Sequence, residues 1–293
     1  MASAKPLAVL GATGYTGGLV VERARALGLP LRLVGRRREA LEAMAVAGDE
    51  IRVADARDDS ALREAFDGTF AVASLAGPFL ETGDLPVAAA IDRRAHYLDT
   101  SGEQAFARLV YERYSGRAEA NDVVVLTSFG FDYVPGDLAA RLAADGLEPL
   151  DEVIAAYSVA GVAASAGTRR TIGHVMRQPQ VAWESGRLIE SRFGASTRTV
   201  KFPFGERTVV EWSGTEPLTV PAPHADGARA LVRARAQGRR EDRADRPAGG
   251  PARPAERPGG ARAFGIAPAE STLRRRGAGA GPQGQSSCHA HRS

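Results

Sequence analysis

The chain has 293 residues, one cysteine (Cys288) and a formal net charge of +3. A single thiol excludes an internal disulfide, which fits a cytoplasmic protein, and no apolar run approaches the roughly 18 residues needed to span a bilayer. Residues 226–293 hold 14 Arg and no Lys against 6 acidic residues, so residues 1–225 carry −5, and the basic pI is a property of the last stretch rather than the mark of a nucleic-acid binder.

The N-terminus lacks a basic region followed by a long apolar core, so no signal peptide is expected. The first expected strand is Leu7-Ala8-Val9-Leu10. It runs into Gly11-Ala12-Thr13-Gly14-Tyr15-Thr16-Gly17. A strand passing through a glycine-rich turn into a helix offers backbone N–H groups to a phosphate. The first glycine permits the turn, the second lets the main chain approach a pyrophosphate, and the third lets helix and strand pack closely. An ordinary strand–helix turn would look the same locally. Val20, Ala24 and Leu27 then repeat at helical spacing until Gly28 and Pro30 end the helix.

Leu31–Val34 reads as the second strand and is followed by Gly35 and three arginines, Arg36, Arg37 and Arg38. In a dinucleotide fold an acidic residue at this place holds the 2′-hydroxyl of NAD. Guanidinium groups instead suit a 2′-phosphate, so this chain is expected to prefer NADP; a solvated basic helix start is the alternative. Arg38–Ala47 has helical composition, and Ile51–Ala54 is a third strand closing at Asp55. Asp55 is placed either to face the adenine or to cap the next turn. Asp58-Asp59-Ser60 supplies caps for a helix through Leu62, Ala65 and Phe66. Phe70–Ala76 is the fourth strand, ending in Gly77-Pro78-Phe79, a turn expected over the cofactor. Asp84 and Pro86 start a helix to Arg94, His96–Thr100 is the fifth strand, and Gln104–Ala120 is helical. Val123–Thr127 is apolar and β-branched, as for a strand covered on both faces. This alternation predicts an α/β, Rossmann-like doubly wound parallel sheet over residues 1–150, with ligands at the carboxyl ends of its strands.

The segment Ser128-Phe129-Gly130-Phe131-Asp132-Tyr133-Val134-Pro135-Gly136-Asp137 is the most distinctive in the chain. Together with the glycine turn, Val34-Gly35-Arg36 and Tyr97-Leu98-Asp99-Thr100-Ser101-Gly102-Glu103, it resembles the saccharopine dehydrogenase-like oxidoreductases, in particular their branch of trans-acting enoyl reductases. Gly161–Thr168 is similar to the start of that family's second domain. The resemblance covers residues 5–224. It implies a nicotinamide-binding domain followed by an α+β domain that closes over a small-molecule or acyl-thioester substrate, and it is compatible with a homodimer if that second domain were complete.

The second domain is expected over 151–225, as a strand at Glu152–Ala160, a helix at Thr171–Glu184 interrupted by Pro179, and a hairpin of Thr197–Phe202 with Arg207–Trp212. After Ala225 the chain turns to Arg, Ala, Gly and Pro, with only Leu231, Val232, Phe264, Ile266 and Leu273 as large aliphatic or aromatic residues. That cannot offset chain entropy, so 226–293 is expected to be a disordered tail. Its composition suits out-of-frame translation of a GC-rich gene, which would leave the substrate domain incomplete; a native basic tail for acidic partners is the alternative. The Cys288-His289-Ala290-His291 cluster is not expected to hold a metal.

With NADPH bound, the expected reaction is hydride transfer. The Tyr-x-x-x-Lys pair of short-chain dehydrogenases is absent, because the only lysines are Lys5 and Lys201. Candidate proton donors near the crevice are Tyr133, Asp132, Asp99 and Glu103; packing between domains is the alternative for Tyr133 and helix capping for Asp132, and Asp137 is read as a helix cap. His174, Arg169 and Arg170 are candidates for the substrate side, with a structural role the alternative for His174 and a solvated face the alternative for the two arginines. The cofactor-binding set is Gly11, Thr13, Gly14, Tyr15, Thr16, Gly17, Arg36, Arg37, Asp55, Gly77 and Pro78. A non-catalytic redox sensor and an inactive truncated product remain open alternatives. A peripheral membrane contact is compatible with the same reading.

Overall fold

The computed structural model describes residues 4–131, 133–145, 150–158, 173, 175–184, 187–212, 214–220, 232–237 and 271–275. Six parallel strands form the first sheet: β1 (Leu7–Leu10), β2 (Leu31–Gly35), β3 (Glu50–Val53), β4 (Ala71–Ser74), β5 (His96–Asp99) and β6 (Val125–Leu126). Their order is β3-β2-β1-β4-β5-β6. Between them run α1 (Tyr15–Ala26), α2 (Arg38–Met44), α3 (Asp59–Phe66), α4 (Phe79–Thr82), α5 (Asp84–Asp92) and α6 (Gln104–Ala120). The fold is the expected doubly wound α/β architecture.

The alternation of side chains along each strand divides the core. Ala8, Leu10, Val34, Val72 and Tyr97 face α3, α5 and α6 through Leu62, Phe66, Val87, Ile91 and Phe106. Val9, Leu31 and Leu33 face α1 and α2 through Val21, Ala24 and Leu41. Fully burying a side chain such as Leu62 or Phe66 contributes about 1.5–3 kcal/mol each. Asp58 caps α3 as expected, its carboxylate accepting the Ala61 N–H at 3.0 Å. The short α4 has no counterpart in the sequence reading. The bounds of α6 are those expected.

The sixth strand differs from expectation. It keeps only Val125–Leu126, pairs with β5 alone, and lies at the sheet edge. Val124 and Leu126 are exposed by 52% and 39%. Its apolar residues therefore do not mark a strand covered on both faces. A groove of 290 Å³ between α6 and this strand is lined by residues including Val110, Tyr111, Tyr114 and Val125.

The chain then enters α7 (Val134–Ala144) and β7 (Leu150–Ala156), followed by β8 (Gln180–Glu184), β9 (Arg187–Ser191), β10 (Thr197–Phe202), β11 (Gly205–Glu211), α8 (Glu216–Thr219), β12 (Val232–Gln237) and β13 (Ser271–Arg275). The second sheet runs β10-β11-β12-β7-β13, with β8 joining β12 to β9. The two faces of β7 are covered separately. Val153 packs with Ala140, Ala144 and Val220, while Ile154 and Ala156 pack with Val200, Phe202 and Val209.

The helix expected across Thr171–Glu184 is corrected at its C-terminal part: Gln180–Glu184 is strand β8, in an antiparallel hairpin with β9. Pro179 stops a helix there, and Val181 and Ala182 are buried in the sheet. The β10–β11 hairpin forms as expected, with Phe202 opposite Gly205. Of residues 226–293 the structure describes β12 and β13. The first pairs in parallel with β7, the second antiparallel on its other side. The rest of the stretch expected to be a disordered tail, the Cys288–His291 cluster, and Gly161–Thr168 lie outside the described residues. Among the described residues no helix is long and apolar enough to cross a membrane.

Candidate functional site

The carboxyl ends of the six strands share one edge, and the chain reverses direction of winding between β1 and β4. Open parallel sheets bind ligands at such a point. Gly11 leaves β1 with φ +82°, and a Cβ on it would come 3.1 Å from the main-chain carbonyl of Leu75. Its N–H donates to Val34 across to β2 at 2.9 Å, and Gly14 N–H donates back to its carbonyl at 2.9 Å. Gly14 is the exposed N-cap of α1, with no side-chain cap. Gly18 is bonded to Gly14 at 2.8 Å, so the N–H groups of Tyr15, Thr16 and Gly17 are those a helix start leaves without intrahelical acceptors. At Gly17 a Cβ would lie 2.1 Å from the Gly11 carbonyl oxygen. The helix is thus pressed against the turn so closely that only glycine fits. Thr13 is half-buried in the turn; Tyr15 and Thr16 are exposed beside it. This cradle fits a pyrophosphate: it has free backbone donors at the N-terminus of a twelve-residue helix.

Beyond β2 and β3, Arg36 and Asp55 come together. Their charged atoms are 3.9 Å apart, with side chains 74% and 42% exposed. An exposed pair at this distance holds little energy, so Arg36 is available to another anion. Arg37, also exposed, is the N-cap of α2 without a side-chain cap bond. Asp55 accepts the Arg57 N–H at 2.9 Å, which builds the turn into α3.

The Gly77–Pro78 turn follows β4, and its peptide bond is cis. Several contacts hold it. The Thr82 hydroxyl lies 2.6 Å from the carbonyls of both Ala76 and Pro78. The Phe79 ring packs on Phe106 with centroids 5.7 Å apart. The buried Glu103 carboxylate accepts the Phe79 N–H at 2.7 Å and the Leu80 N–H at 3.1 Å.

Glu103 and Asp99, candidate acids in the sequence, both accept backbone N–H groups here. Both oxygens of Glu103 are occupied by backbone donors at the start of α4. Asp99 Oδ1 accepts the N–H groups of Ser101 and Ser128, each at 2.8 Å, and so ties the loop after β5 to the loop after β6. Burial raises the pKa of the Asp99 carboxyl against the pull of these donors. Tyr133 is buried and donates its hydroxyl to the Gly102 carbonyl at 2.8 Å. A Cβ at Gly214 would come 2.7 Å from the Tyr133 ring, so this residue touches both the loop after β5 and the turn before α8. Asp137 is not the N-cap of its helix, because α7 begins earlier, at Val134; it bonds Arg141 at 3.0 Å and accepts the Thr219 hydroxyl. Asp132, His174, Arg169 and Arg170 lie outside the described residues.

Three residues of this region carried no sequence signal. Gln104 bonds Val181 and Gly214 from the first turn of α6. Tyr157 donates to Glu216 at 2.6 Å. Their partners lie 59 to 110 residues away in the chain, beyond the reach of periodicity or capping patterns.

Residues 11–144 match a family model described as NAD(P)H-binding. The chain is 31% identical over 147 residues to a lipid droplet localized protein of Caenorhabditis elegans, a match covering 45% of this chain and 34% of that protein. It is 32% identical over 149 residues to a probable mitochondrial saccharopine dehydrogenase-like oxidoreductase of Arabidopsis thaliana, covering 45% and 33%. The alignments thus span about a third of the length of these curated relatives. Among solved structures, saccharopine dehydrogenase (L-Glu forming) of Saccharomyces cerevisiae superposes with a TM-score of 0.56 at 17% identity, covering 80% of this chain and 55% of that one. That likeness is one of fold.

Proposed function

We propose that this chain is an NADP-dependent oxidoreductase of the saccharopine dehydrogenase-like type. The observation that carries the reading is the glycine cradle at the β1–β4 switch point, where Gly17 has no room for a Cβ. Gly11, Gly14 and the N–H groups of Tyr15, Thr16 and Gly17 would hold the pyrophosphate. Arg36, with Arg37 beside it, would take the 2′-phosphate, and Asp55 would face the adenosine. Gly77 and Pro78 would border the nicotinamide end. When bound, the dinucleotide supplies hydride transfer. The protein's own part is to place it, exclude water and provide a proton.

An enoyl thioester is the substrate class we favour. The distinctive 128–137 segment supports it, and so does the lipid-droplet association in the name of one relative. The same association supports a peripheral lipid contact for a cytoplasmic protein.

A second reading is binding without turnover, as in a redox sensor. It is favoured by the engagement of Asp99, Glu103 and Tyr133 in structural hydrogen bonds. Titration with NADPH followed by an NADPH-consumption assay on a short-chain enoyl thioester decides between them. Binding with consumption supports the enzyme reading. Binding without consumption on enoyl or imine substrates supports the sensor. No binding of either nicotinamide dinucleotide overturns both.

A further inference from the structure

Three consecutive residues connect the cofactor edge to the second sheet. The carbonyl of Gly102 accepts the Tyr133 hydroxyl at 2.8 Å. Glu103, 1% exposed, reaches toward β4 and accepts the N–H groups of Phe79 and Leu80, which open α4 directly after the Gly77–Pro78 turn. Gln104, 5% exposed, reaches the opposite way. Its amide oxygen accepts the Val181 N–H at 2.7 Å, and its amide nitrogen donates to the carbonyls of Val181 at 2.9 Å and Gly214 at 2.7 Å. That uses both donors of the side chain and one acceptor site. Gln104 thus holds β8 and the turn before α8 much as a neighbouring strand would.

We infer that Glu103 and Gln104 are a positioning pair that couples the placement of β8 and the Gly214 turn to the Gly77–Pro78 turn, and hence to the nicotinamide end of the dinucleotide site. The inference rests on the cofactor reading above. The two residues stand at the start of α6, so their Cα atoms are separated by one peptide unit of about 3.8 Å and cannot shift independently. The helix behind them is anchored on the same turn through the Phe79–Phe106 ring contact. The bonds of Glu103 are charge-assisted and weaken steeply with misalignment. A displacement of β8 moves Gln104, then Glu103, then the first N–H groups of α4. The adenosine end is built from β1, β2 and β3, and among the described residues its hydrogen bonds and ion pair involve neither Glu103 nor Gln104. The coupling is therefore confined to one end of the site.

The full chain tests this with two ligands and one measurement that needs no ligand. Adenosine 2′,5′-bisphosphate probes the adenosine end; NADPH probes both ends. Glu103→Gln, Gln104→Ala and the isosteric Gln104→Glu are each expected to weaken NADPH about tenfold while leaving the bisphosphate within about twofold of wild type. Hydrogen exchange at the Phe79 and Leu80 amides is expected to accelerate in both Gln104 variants, although Gln104 touches neither amide. Equal weakening of both ligands, or unchanged exchange at Phe79 and Leu80 in Gln104→Glu, overturns the coupling. If wild type binds neither ligand, the cofactor reading fails; accelerated exchange in the Gln104 variants then still supports the coupling, and unchanged exchange overturns it as well. Should Gln104→Ala not fold, the isosteric variant carries the test.

Discussion

The half-buried Tyr157 donates its hydroxyl to Oε1 of Glu216 at 2.6 Å. Glu216 is completely buried, and its second oxygen has no partner among the described residues. Burial pushes its carboxyl from 4.5 up to about 7, with nearby Asp137 adding to the shift and the Tyr157 bond opposing it. The Tyr157 hydroxyl is itself raised by burial and by the carboxylate beside it. The groups around the carboxyl are Tyr133 just before α7, Asp137 within α7 and Tyr157 just after β7; Arg141 is engaged with Asp137.

This arrangement makes stability depend on pH. Below pH 4.5 both folded and unfolded chains hold the Glu216 proton, and the group's contribution is fully present. Between 4.5 and about 7 only the folded chain retains it, so stability falls as pH rises and levels off above about 7. The full loss is about 3 kcal/mol for a shift of this size. Glu216→Gln carries no titrating group and is expected to lack most of this slope. Urea unfolding of both proteins at about pH 5 and about pH 8 measures it; the same slope in wild type and variant would refute the assignment.

The glycine turn separates two kinds of damage. In Gly17→Ala the new methyl would sit 2.1 Å from the Gly11 carbonyl oxygen, so α1 must move. We expect a stability loss of about 3 kcal/mol or more together with loss of dinucleotide binding. In Gly14→Ala the nearest atom is 3.2 Å away. The fold is expected to survive with little change in Tm while NADPH affinity drops, because the methyl enters the path of the pyrophosphate. Thermal melts with calorimetric titration distinguish the two, and equal melting temperatures for both variants would contradict the packing argument.

Arg36 is expected to select the cofactor. Its exposed partner Asp55 holds it weakly at 3.9 Å, whereas a 2′-phosphate would offer paired charge-assisted bonds worth about 1.5–3 kcal/mol each. Arg36→Ala should therefore weaken NADPH about 10- to 100-fold and leave NADH nearly unchanged. Indistinguishable NADH and NADPH affinities in wild type and variant would remove the basis for NADP preference.

Asp58 offers a control remote from the cradle. Its carboxylate caps α3 through Ala61, and Asp58→Ala is expected to cost about 1 kcal/mol in denaturant unfolding. NADPH affinity should stay at the wild-type value. A large loss of affinity would show that α3 reaches the site.

What could be read from the residues alone was local. Leu7–Leu10 and Ala71–Ser74 announce themselves as apolar runs, α6 by its bounds, and the Gly11–Gly17 turn by spacing that only a strand-to-helix reversal requires. These patterns involve neighbours within a few residues, so they determine the alternation of strand and helix and place the cradle at the carboxyl end of the first strand. The sequence did not determine which elements are covered. Val124 and Leu126 look like core and stand at an exposed edge, while Gln180–Glu184 continues a helical composition yet joins a sheet. It also did not determine the occupation of the polar groups. Glu103 looks like an acid but holds Phe79 and Leu80, and Gln104 looks like an ordinary first-turn residue but holds Val181 and Gly214. A buried polar side chain takes its role from the donors and acceptors that packing brings to it. Those partners come from segments distant in sequence, for Gln104 from the second sheet, and only the tertiary structure brings them together.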